Sequence, residues 1–349
     1  MHPPRRPRAA RTATVVARVG PLIRVGMAGL VALSMGAGCS SALGTTGSDT
    51  VSLVAYSTPQ KAFTDIVARF TATSQGGGTR ITESYGASGA QSRAVTAGQP
   101  ADVVEFSLQT DMTRLVEAGL VAPDWNSDAY HGMLTNSVVV LVVRRGNPKG
   151  IHTWLDLVRP GVRVVTPNPF SSGSARWNLM GAYGAQLQQG RSPAQALDFV
   201  KALLDNTVAQ PESGNKATAA FVTGTGDVLI SYENEAIEAQ QADQPVDYVI
   251  PDETLLIENP VAVTTGAKNP ALARQFLTFL RTDTVQRIFA EHGYRPVVGS
   301  ALDPTRFPTP PKLFTIDDLG GWPKVAEEFF DPKSGSITRI ENELGVGGG

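Results

Sequence analysis

A turn rich in proline and small hydroxyl residues lies between a predicted strand and a predicted helix, and reads Thr-Pro-Asn-Pro-Phe-Ser-Ser-Gly-Ser-Ala-Arg-Trp-Asn at residues 166–178. The first N–H groups of a helix have no partner within it, and the helix dipole adds partial positive charge there. Such a helix start can hold an oxyanion without a cationic side chain. Glycine lets a ligand approach the backbone, and a serine hydroxyl donates a further hydrogen bond. Taken alone, the segment is more typical of an ordinary capped helix.

Three further segments place small residues ahead of a predicted helix. Residues 84–91 (Ser-Tyr-Gly-Ala-Ser-Gly-Ala-Gln) follow a predicted strand at 80–83, and residues 213–218 (Ser-Gly-Asn-Lys-Ala-Thr) precede a helical stretch. Thr58 is predicted as the N-cap of a helix whose first residue is Pro59. Each segment is a weak signal by itself. Four turns of one kind can nevertheless converge on one anion, and this is the hypothesis.

The first 38 residues differ from the rest of the chain. They contain six arginines and no acidic residue, followed by an apolar run at 25–38 that is too short to span a bilayer stably. We therefore expect a cleaved signal peptide at 1–38. Ala-Gly-Cys at 37–39 matches the end of a bacterial lipobox, so Cys39 is the predicted lipidation site and 39–49 a flexible tether. Because Cys39 is the only cysteine, no intrachain disulfide is possible.

The charge of the chain excludes some partners. The formal charge is −2, and because the leader carries six arginines and no acid, the remainder is near −8. No basic stripe is left for nucleic acid or for an anionic lipid surface. Any anion is therefore bound locally, against the overall field of the protein.

Catalytic and metal-binding alternatives have less support. Ser172 is a candidate nucleophile with His131, His152 or His292 as the base, but the sequence has no Gly-x-Ser-x-Gly motif. Histidine pairs at helical spacing and cysteine clusters are also missing from the sequence. We therefore expect a protein that is not an enzyme and has neither metal nor cofactor.

Strands and helices alternate along the chain after the leader. A βαβαβα series occupies residues 51–118, and a second α/β series occupies 162–232. The apolar strand at 135–145 is predicted to leave the first lobe, and a strand at 254–264 to return to it. Two α/β lobes joined by two crossing strands fit this pattern better than one continuous sheet.

Several motifs of the chain resemble those of the sulfate-binding proteins of bacterial sulfate/thiosulfate ABC importers. The matching stretches are Ser-Tyr-Gly-Ala-Ser-Gly at 84–89, Ala-Asp-Val-Val at 101–104, Arg-Gly-Asn-Pro-Lys at 145–149, the segment 166–178, Gly-Asp-Val-Leu-Ile at 226–230, Glu-Asn-Glu at 233–235, Tyr-Arg-Pro at 294–296, Lys-Leu-Phe-Thr-Ile-Asp at 312–317 and Gly-Gly-Trp at 320–322. They occur in order over most of the chain after the leader.

The resemblance implies the two-lobed α/β fold of type II periplasmic binding proteins, with the ligand cleft between lobes that two crossing strands join. The predicted divisions are a signal peptide at 1–38, a tether at 39–49, a discontinuous lobe 1 at 50–136 plus 257–325, a lobe 2 at 137–256 and a C-terminal tail at 326–349.

The resemblance also implies a set of ligand-binding residues. The implied backbone N–H donors belong to Thr58, Ser88, Gly173, Ser174 and Asn215, and the implied side-chain donors are the hydroxyl of Ser172 and the phenol of Tyr232, where the family pattern has tryptophan. Asp111 and Arg176 match an ion pair behind the ligand; an ordinary surface salt bridge is the alternative. In such a site, neutral donors receive a fully ionised dianion, whereas a protonated phosphate needs an acceptor.

The function that the resemblance implies is an extracytoplasmic receptor. It is expected to bind sulfate or thiosulfate, to deliver it to an ABC permease and to remain at the cell membrane through the lipid on Cys39. A monomer is expected, without nucleic-acid partners. A molybdate or tungstate receptor is the nearest alternative, followed by a secreted hydrolase that uses Ser172 and by an inert surface protein.

Overall fold

The computed structural model describes residues 49–346. The predicted signal peptide at 1–38, Cys39, all of the predicted tether except Asp49, and residues 347–349 lie outside the described residues. Within 49–346, no helix combines the length and the apolar character needed to cross a bilayer.

Strands and helices alternate over most of the described chain. The strands are β1 (Thr50–Tyr56), β2 (Arg80–Gly86), β3 (Val103–Glu105), β4 (Met133–Arg144), β5 (Val164–Val165), β6 (Thr207–Ala209), β7 (Val228–Tyr232), β8 (Val246–Val249), β9 (Glu253–Val263), β10 (Arg295–Pro296) and β11 (Lys312–Phe314). The helices are α1 (Gln60–Thr71), α2 (Ser88–Thr96), α3 (Gln109–Glu117), α4 (Gly173–Gln188), α5 (Pro193–Asp205), α6 (Gly214–Val222), α7 (Glu233–Gln241), α8 (Pro270–Leu280), α9 (Asp283–Glu291), α10 (Gly321–Phe330) and α11 (Ser336–Glu343).

The strands are joined in the order β2-β1-β3-β9-β4-β7-β5-β6. The pairs β1–β2, β1–β3, β5–β7 and β5–β6 are parallel, whereas the two long strands β4 and β9 are antiparallel to each other. The first half of β4 pairs with β9, and its second half pairs with β7 and β8. β4 and β9 are thus the two crossing strands expected at 135–145 and 254–264.

The apolar run of β4 is explained by burial on both of its faces. Val139, Leu141 and Val143 belong to one hydrophobic cluster, while the alternating Val138 and Val140 belong to another. Successive side chains of a strand point to opposite faces, so a strand covered on both sides has no polar alternation.

Two packing regions share β4 and β9. The first region consists of β1 to β3 with α1, α2, α3, α8 and α9, and its core contains Phe63, Phe70, Phe276 and Phe289. The second region consists of β5 to β8 with α4 to α7, α10 and α11. Each of the two predicted α/β series thus forms part of one region of the fold.

The C-terminal part of the chain differs from its predicted role as a tail at 326–349. It contains the end of α10 and all of α11, and Phe329 and Ile337 are buried in the largest hydrophobic cluster. Phe314 and Trp322, predicted in lobe 1, are buried in that same cluster with Val139. Helices with one apolar side pack wherever a matching surface exists, which sequence order alone does not specify.

Candidate functional site

A small cavity lies where the first and second regions meet. Twelve residues line it: Tyr56, Ser57, Thr58, Gly86, Ala87, Ser88, Ser107, Ser172, Gly173, Ser174, Ser213 and Gly214. Seven of them come from the carboxyl ends of β1, β2 and β3 and the residues that follow, and five come from the starts of α4 and α6. Every one of these side chains is uncharged.

Three helices begin at this cavity. Ala87, Ser172 and Ser213 are the cap residues of α2, α4 and α6, and all three have extended backbones. Ser213 caps α6 through its own hydroxyl, which accepts from Lys216 N at 3.3 Å, but the side chains of Ala87 and Ser172 make no capping bond. The first N–H groups of a helix have no helical acceptor, so α2 and α4 bring donors to the cavity.

The fourth turn, ahead of α1, is displaced by one residue from its prediction. Pro59 is the cap residue and Gln60 the first helical residue, so Thr58 lies just outside the helix. Thr58 still lines the cavity, and it is 4% exposed.

Several serine hydroxyl groups of the cavity bond to one another or to residues behind it. Ser172 Oγ and Ser174 Oγ are 2.8 Å apart. Ser88 Oγ donates to Asp111 Oδ2 at 2.6 Å and accepts from Ser107 N at 3.0 Å. The Ser88 hydroxyl is therefore already used, and its backbone N–H remains the donor that it can offer, as the resemblance implies.

Asp111 has a different partner from the predicted one. Its Oδ1 is 2.9 Å from Arg114 Nη1, one helical turn away. Arg176 instead donates from Nε to the carbonyl of Pro169 at 3.0 Å and lies over the ring of Phe330. Burial lowers the pKa of Arg176, and the charge of Asp111 partly opposes this shift. The predicted Asp111–Arg176 ion pair is thus corrected to an Asp111–Arg114 pair with Arg176 as a more distant countercharge.

Two of the predicted ligand-binding residues do not line the cavity. Asn215 borders a neighbouring cavity of about 270 Å³, which also includes Thr58. Tyr232 is fully buried, and its hydroxyl lies 2.6 Å from Ser107 Oγ. Tyr232 therefore reaches the cavity only through Ser107, while Thr58, Ser88, Ser172, Gly173 and Ser174 are brought together at it.

Residues that sequence reasoning did not select as ligands also line the cavity. Ser57 and Ser107 each follow a parallel strand of the first region, and Ser213 and Gly214 precede Asn215 at the start of α6. The carboxyl ends of parallel strands meet at one edge of a sheet, where ligands of α/β proteins commonly bind. This rule, applied to the first two residues after each strand of the first region, would have found Ser57 and Ser107.

A buried carboxyl group lies behind Gly214. Glu235 accepts from Ser231 Oγ at 2.7 Å and from Thr218 Oγ1 at 3.3 Å, and burial raises its pKa to about 7. A Cβ atom at position 214 would lie 2.9 Å from both Glu235 Oε2 and Ser174 Oγ. Only glycine fits at the start of α6 without moving these groups.

Comparison with known proteins agrees with the architecture. Residues 51–295 match the model of the family described as "Bacterial extracellular solute-binding protein". The sulfate-binding protein of Synechococcus elongatus is 43% identical over 80% of this chain and 83% of its own. The thiosulfate-binding protein of Escherichia coli is 34% identical over 73% of this chain and 79% of its own.

A solved structure is also similar to this chain. The sulfate-binding protein SubI from Mycobacterium tuberculosis is 46% identical, with a TM-score of 0.79 over 81% of this chain and all of that one. The two-lobed type II periplasmic binding protein fold predicted from the sequence is thereby confirmed. The chain therefore belongs to the bacterial extracellular solute-binding proteins, together with these sulfate-binding relatives.

Proposed function

We propose that the protein is a non-enzymatic, extracytoplasmic receptor that captures sulfate and delivers it to an ABC permease. The observation that carries the proposal is the uncharged cavity at which α2, α4 and α6 begin. The names of the relatives support sulfate as the ligand and thiosulfate as a second one.

The proposed ligand contacts are backbone N–H groups of Ser88, Gly173 and Ser174, with hydroxyls of Ser172 and Ser107. A buried dianion is costly unless its oxygens are fully hydrogen-bonded, and donors at several helix starts spread the charge without a cation. Ser172 and Ser174 pair with each other at 2.8 Å in this structure, so one hydroxyl can turn to the anion. We propose that Thr58 and Gly214 complete the shell, and that Asn215 and Tyr232 act from behind it.

Selectivity against phosphate follows from the same lining. Hydrogen phosphate carries an O–H that needs an acceptor, and no carboxylate is among the twelve residues of the cavity. Glu235 lies behind Gly214, but both of its oxygens already accept from Ser231 and Thr218, and Asp111 behind Ser88 accepts from Ser88 and Arg114. Sulfate has only acceptor oxygens, so it can pair with the donors of the cavity and needs no acceptor there.

Ligand binding is proposed to close two lobes about β4 and β9. The first lobe consists of residues 50–136 and 257–313. The second lobe consists of residues 137–256 together with residues from 314 onward, which include α10 and α11; the sequence predicts 314–325 in the first lobe. The support is that Gly89 N donates to Ser171 O at 3.2 Å between the two regions, next to the cavity. The anion is then held from both sides by a monomer.

Calorimetric titration tests the substrate. The protein without its leader, in sulfate-free buffer, should bind sulfate at one site per chain, thiosulfate at the same site, and phosphate much more weakly. Molybdate or tungstate binding much more tightly than sulfate would contradict the proposed substrate. Absence of binding by any of these oxyanions would contradict the receptor function itself.

Membrane anchoring through Cys39 is a separate proposal, supported by the leader and the lipobox-like residues before it. A single acyl chain gives only marginal membrane retention, whereas a diacylglycerol supplies the two chains needed for stable anchoring. Cys39→Ala should therefore release the protein from the membrane fraction. Ser40→Ala is the control. An unmodified Cys39 by mass spectrometry in the wild-type protein would contradict the anchor.

A further inference from the structure

A second cavity lies beside the proposed sulfate site and is bordered by charged side chains. It measures about 270 Å³ and shares Thr58 with the anion cavity. Lys61 of α1 and Glu238 of α7 line it from opposite regions, with Nζ and Oε2 3.3 Å apart. This ion pair therefore spans the junction of the two regions, and Lys61 is three residues after Thr58 in the chain.

His292 extends the ion pair into a network. It is the cap residue at the end of α9, and its Nδ1 lies 3.3 Å from Glu238 Oε1 while its Nε2 lies 2.9 Å from Asp65 Oδ2. Lys61 and Asp65 are both on α1. Glu238 thus contacts two cationic or protonatable side chains of the first region at once.

The packing of the helices shows which contacts would break if the regions separated. Phe63 of α1 and Phe289 of α9 stack edge to face with ring centroids 5.7 Å apart and share one hydrophobic cluster, so these helices pack together in the first region. Ala236 and Ala239 of α7 pack in the other unit, with Val140 of β4. A movement of α7 away from α1 and α9 would therefore remove Glu238 from Lys61 and His292, would also break the bond from Gln241 Nε2 to Glu291 O at 2.8 Å, and would leave the His292–Asp65 contact intact.

We propose that Lys61, Glu238, His292 and Asp65 form a clasp that stabilises the closed state of the receptor and makes its sulfate affinity depend on protonation of His292. The proposal rests on the proposed function, because the clasp acts by favouring the state that encloses sulfate. The four are positioning residues, since none of them lines the anion cavity.

The direction of the pH dependence follows from the contacts of His292. Its side chain is 18% exposed, and the pKa of His292 is raised above its ordinary value, chiefly by the hydrogen bond to Glu238 and then by Asp65. In the open state only Asp65 remains, so closure raises the pKa of His292 and takes up a proton. The stabilisation of the closed state by His292 is fully present below the pKa that His292 has in the open state. It is lost as the pH rises through the pKa that His292 has in the closed state.

Three charged side chains lie around His292, and a fourth lies one turn further along α7. Glu238 faces it from α7 and Asp65 from α1, and Lys61 reaches it through Glu238. Glu235, one turn from Glu238 on α7, has a pKa raised to about 7 by burial and lies behind the anion cavity. Its protonation also removes negative charge near sulfate, so the test must separate Glu235 from His292.

The experiment is calorimetric titration of sulfate between pH 6 and pH 8 in two buffers of different ionisation enthalpy, on wild type, His292→Gln, Glu238→Gln and Glu235→Gln. Arg287→Gln is the matched control, because Arg287 lies on the same helix and its partners, Asp283 at 2.8 Å and the carbonyl of Ser300 at 2.7 Å, take no part in the contacts of Glu238 or His292. The fold of each variant is checked by its thermal unfolding transition. Small-angle scattering with and without sulfate reports closure directly.

Wild type and Arg287→Gln should lose about threefold to tenfold in sulfate affinity from pH 6 to pH 8, since one pKa unit corresponds to a factor of ten. His292→Gln should lose that slope and the proton uptake, and Glu238→Gln should bind more weakly at both pH values. A slope retained in His292→Gln, or abolished by Glu235→Gln alone, would overturn the clasp. If wild type bound no sulfate at any pH, the proposed function would fail before the clasp is reached.

Discussion

Gly173→Asp should abolish measurable sulfate binding, with a loss of about a thousandfold or more. Gly173 is the first residue of α4, and a Cβ atom there would lie 2.7 Å from Ser107 Oγ and 2.8 Å from Leu108 Cδ2. The new carboxylate would both fill the approach to the backbone N–H groups and oppose the dianion. Like charges juxtaposed in a buried site cost several kcal/mol, and each 1.4 kcal/mol is about tenfold in affinity.

The control for this prediction is Gly299→Asp. Gly299 is exposed, and a Cβ atom there would contact nothing within 4 Å. Ser172→Ala gives the graded comparison: it removes one hydroxyl from a buried charge, which corresponds to a loss of about tenfold to 150-fold. Titration calorimetry measures all three. If Gly173→Asp bound sulfate as tightly as Gly299→Asp, the site would lie elsewhere.

Arg295→Met should lower the free energy of unfolding by about 3–5 kcal/mol, the cost of leaving a buried charge unpaired. Arg295 donates to both oxygens of Glu233, at 2.7 and 3.0 Å, and the two side chains are only 8% and 1% exposed. Burial raises the pKa of Glu233, and Arg295 opposes that shift. Without the guanidinium, the pKa of Glu233 rises further above its unfolded value, so the variant should regain stability as the pH falls and lose it as the pH rises.

Urea unfolding at neutral and acidic pH checks this expectation. Lys201→Met is the control, because the Lys201–Glu343 pair at 3.1 Å is exposed on both sides and such pairs contribute less than about 1 kcal/mol. Equal losses for Arg295→Met and Lys201→Met would show that the buried pair contributes no more than a surface pair.

The turns before the helices were predictable from the sequence because their chemistry is local. Small residues and a following helical run are enough to place Ser88, Ser172 and Ser174 at helix starts, and the structure gathers all three at one cavity. The two crossing strands were predictable for a similar reason, since a strand buried on both faces carries its pattern in its own residues.

Other features were not predictable in this way, because more than one local arrangement fits the same residues. Residues 213–218 were expected to precede a helix, but the Ser213 hydroxyl accepts from Lys216 N and α6 begins at Gly214, so Gly214 rather than Asn215 lines the cavity. Asp111 pairs within α3 rather than across to Arg176 because Arg114 is one turn away. Short strands such as β6 and β11 have too few residues to show a period of two.

We propose that the starts of α2, α4 and α6 hold sulfate without a cationic side chain. A crystal structure of the protein grown with sulfate, with the sulfur located by its anomalous signal, tests it most directly. We expect one sulfate in the cavity between Ser88 and Gly173, with its oxygens within hydrogen-bond distance of backbone N–H groups and no lysine or arginine in contact. Sulfate bound at another place, or held in the cavity by an arginine or lysine side chain, would contradict it.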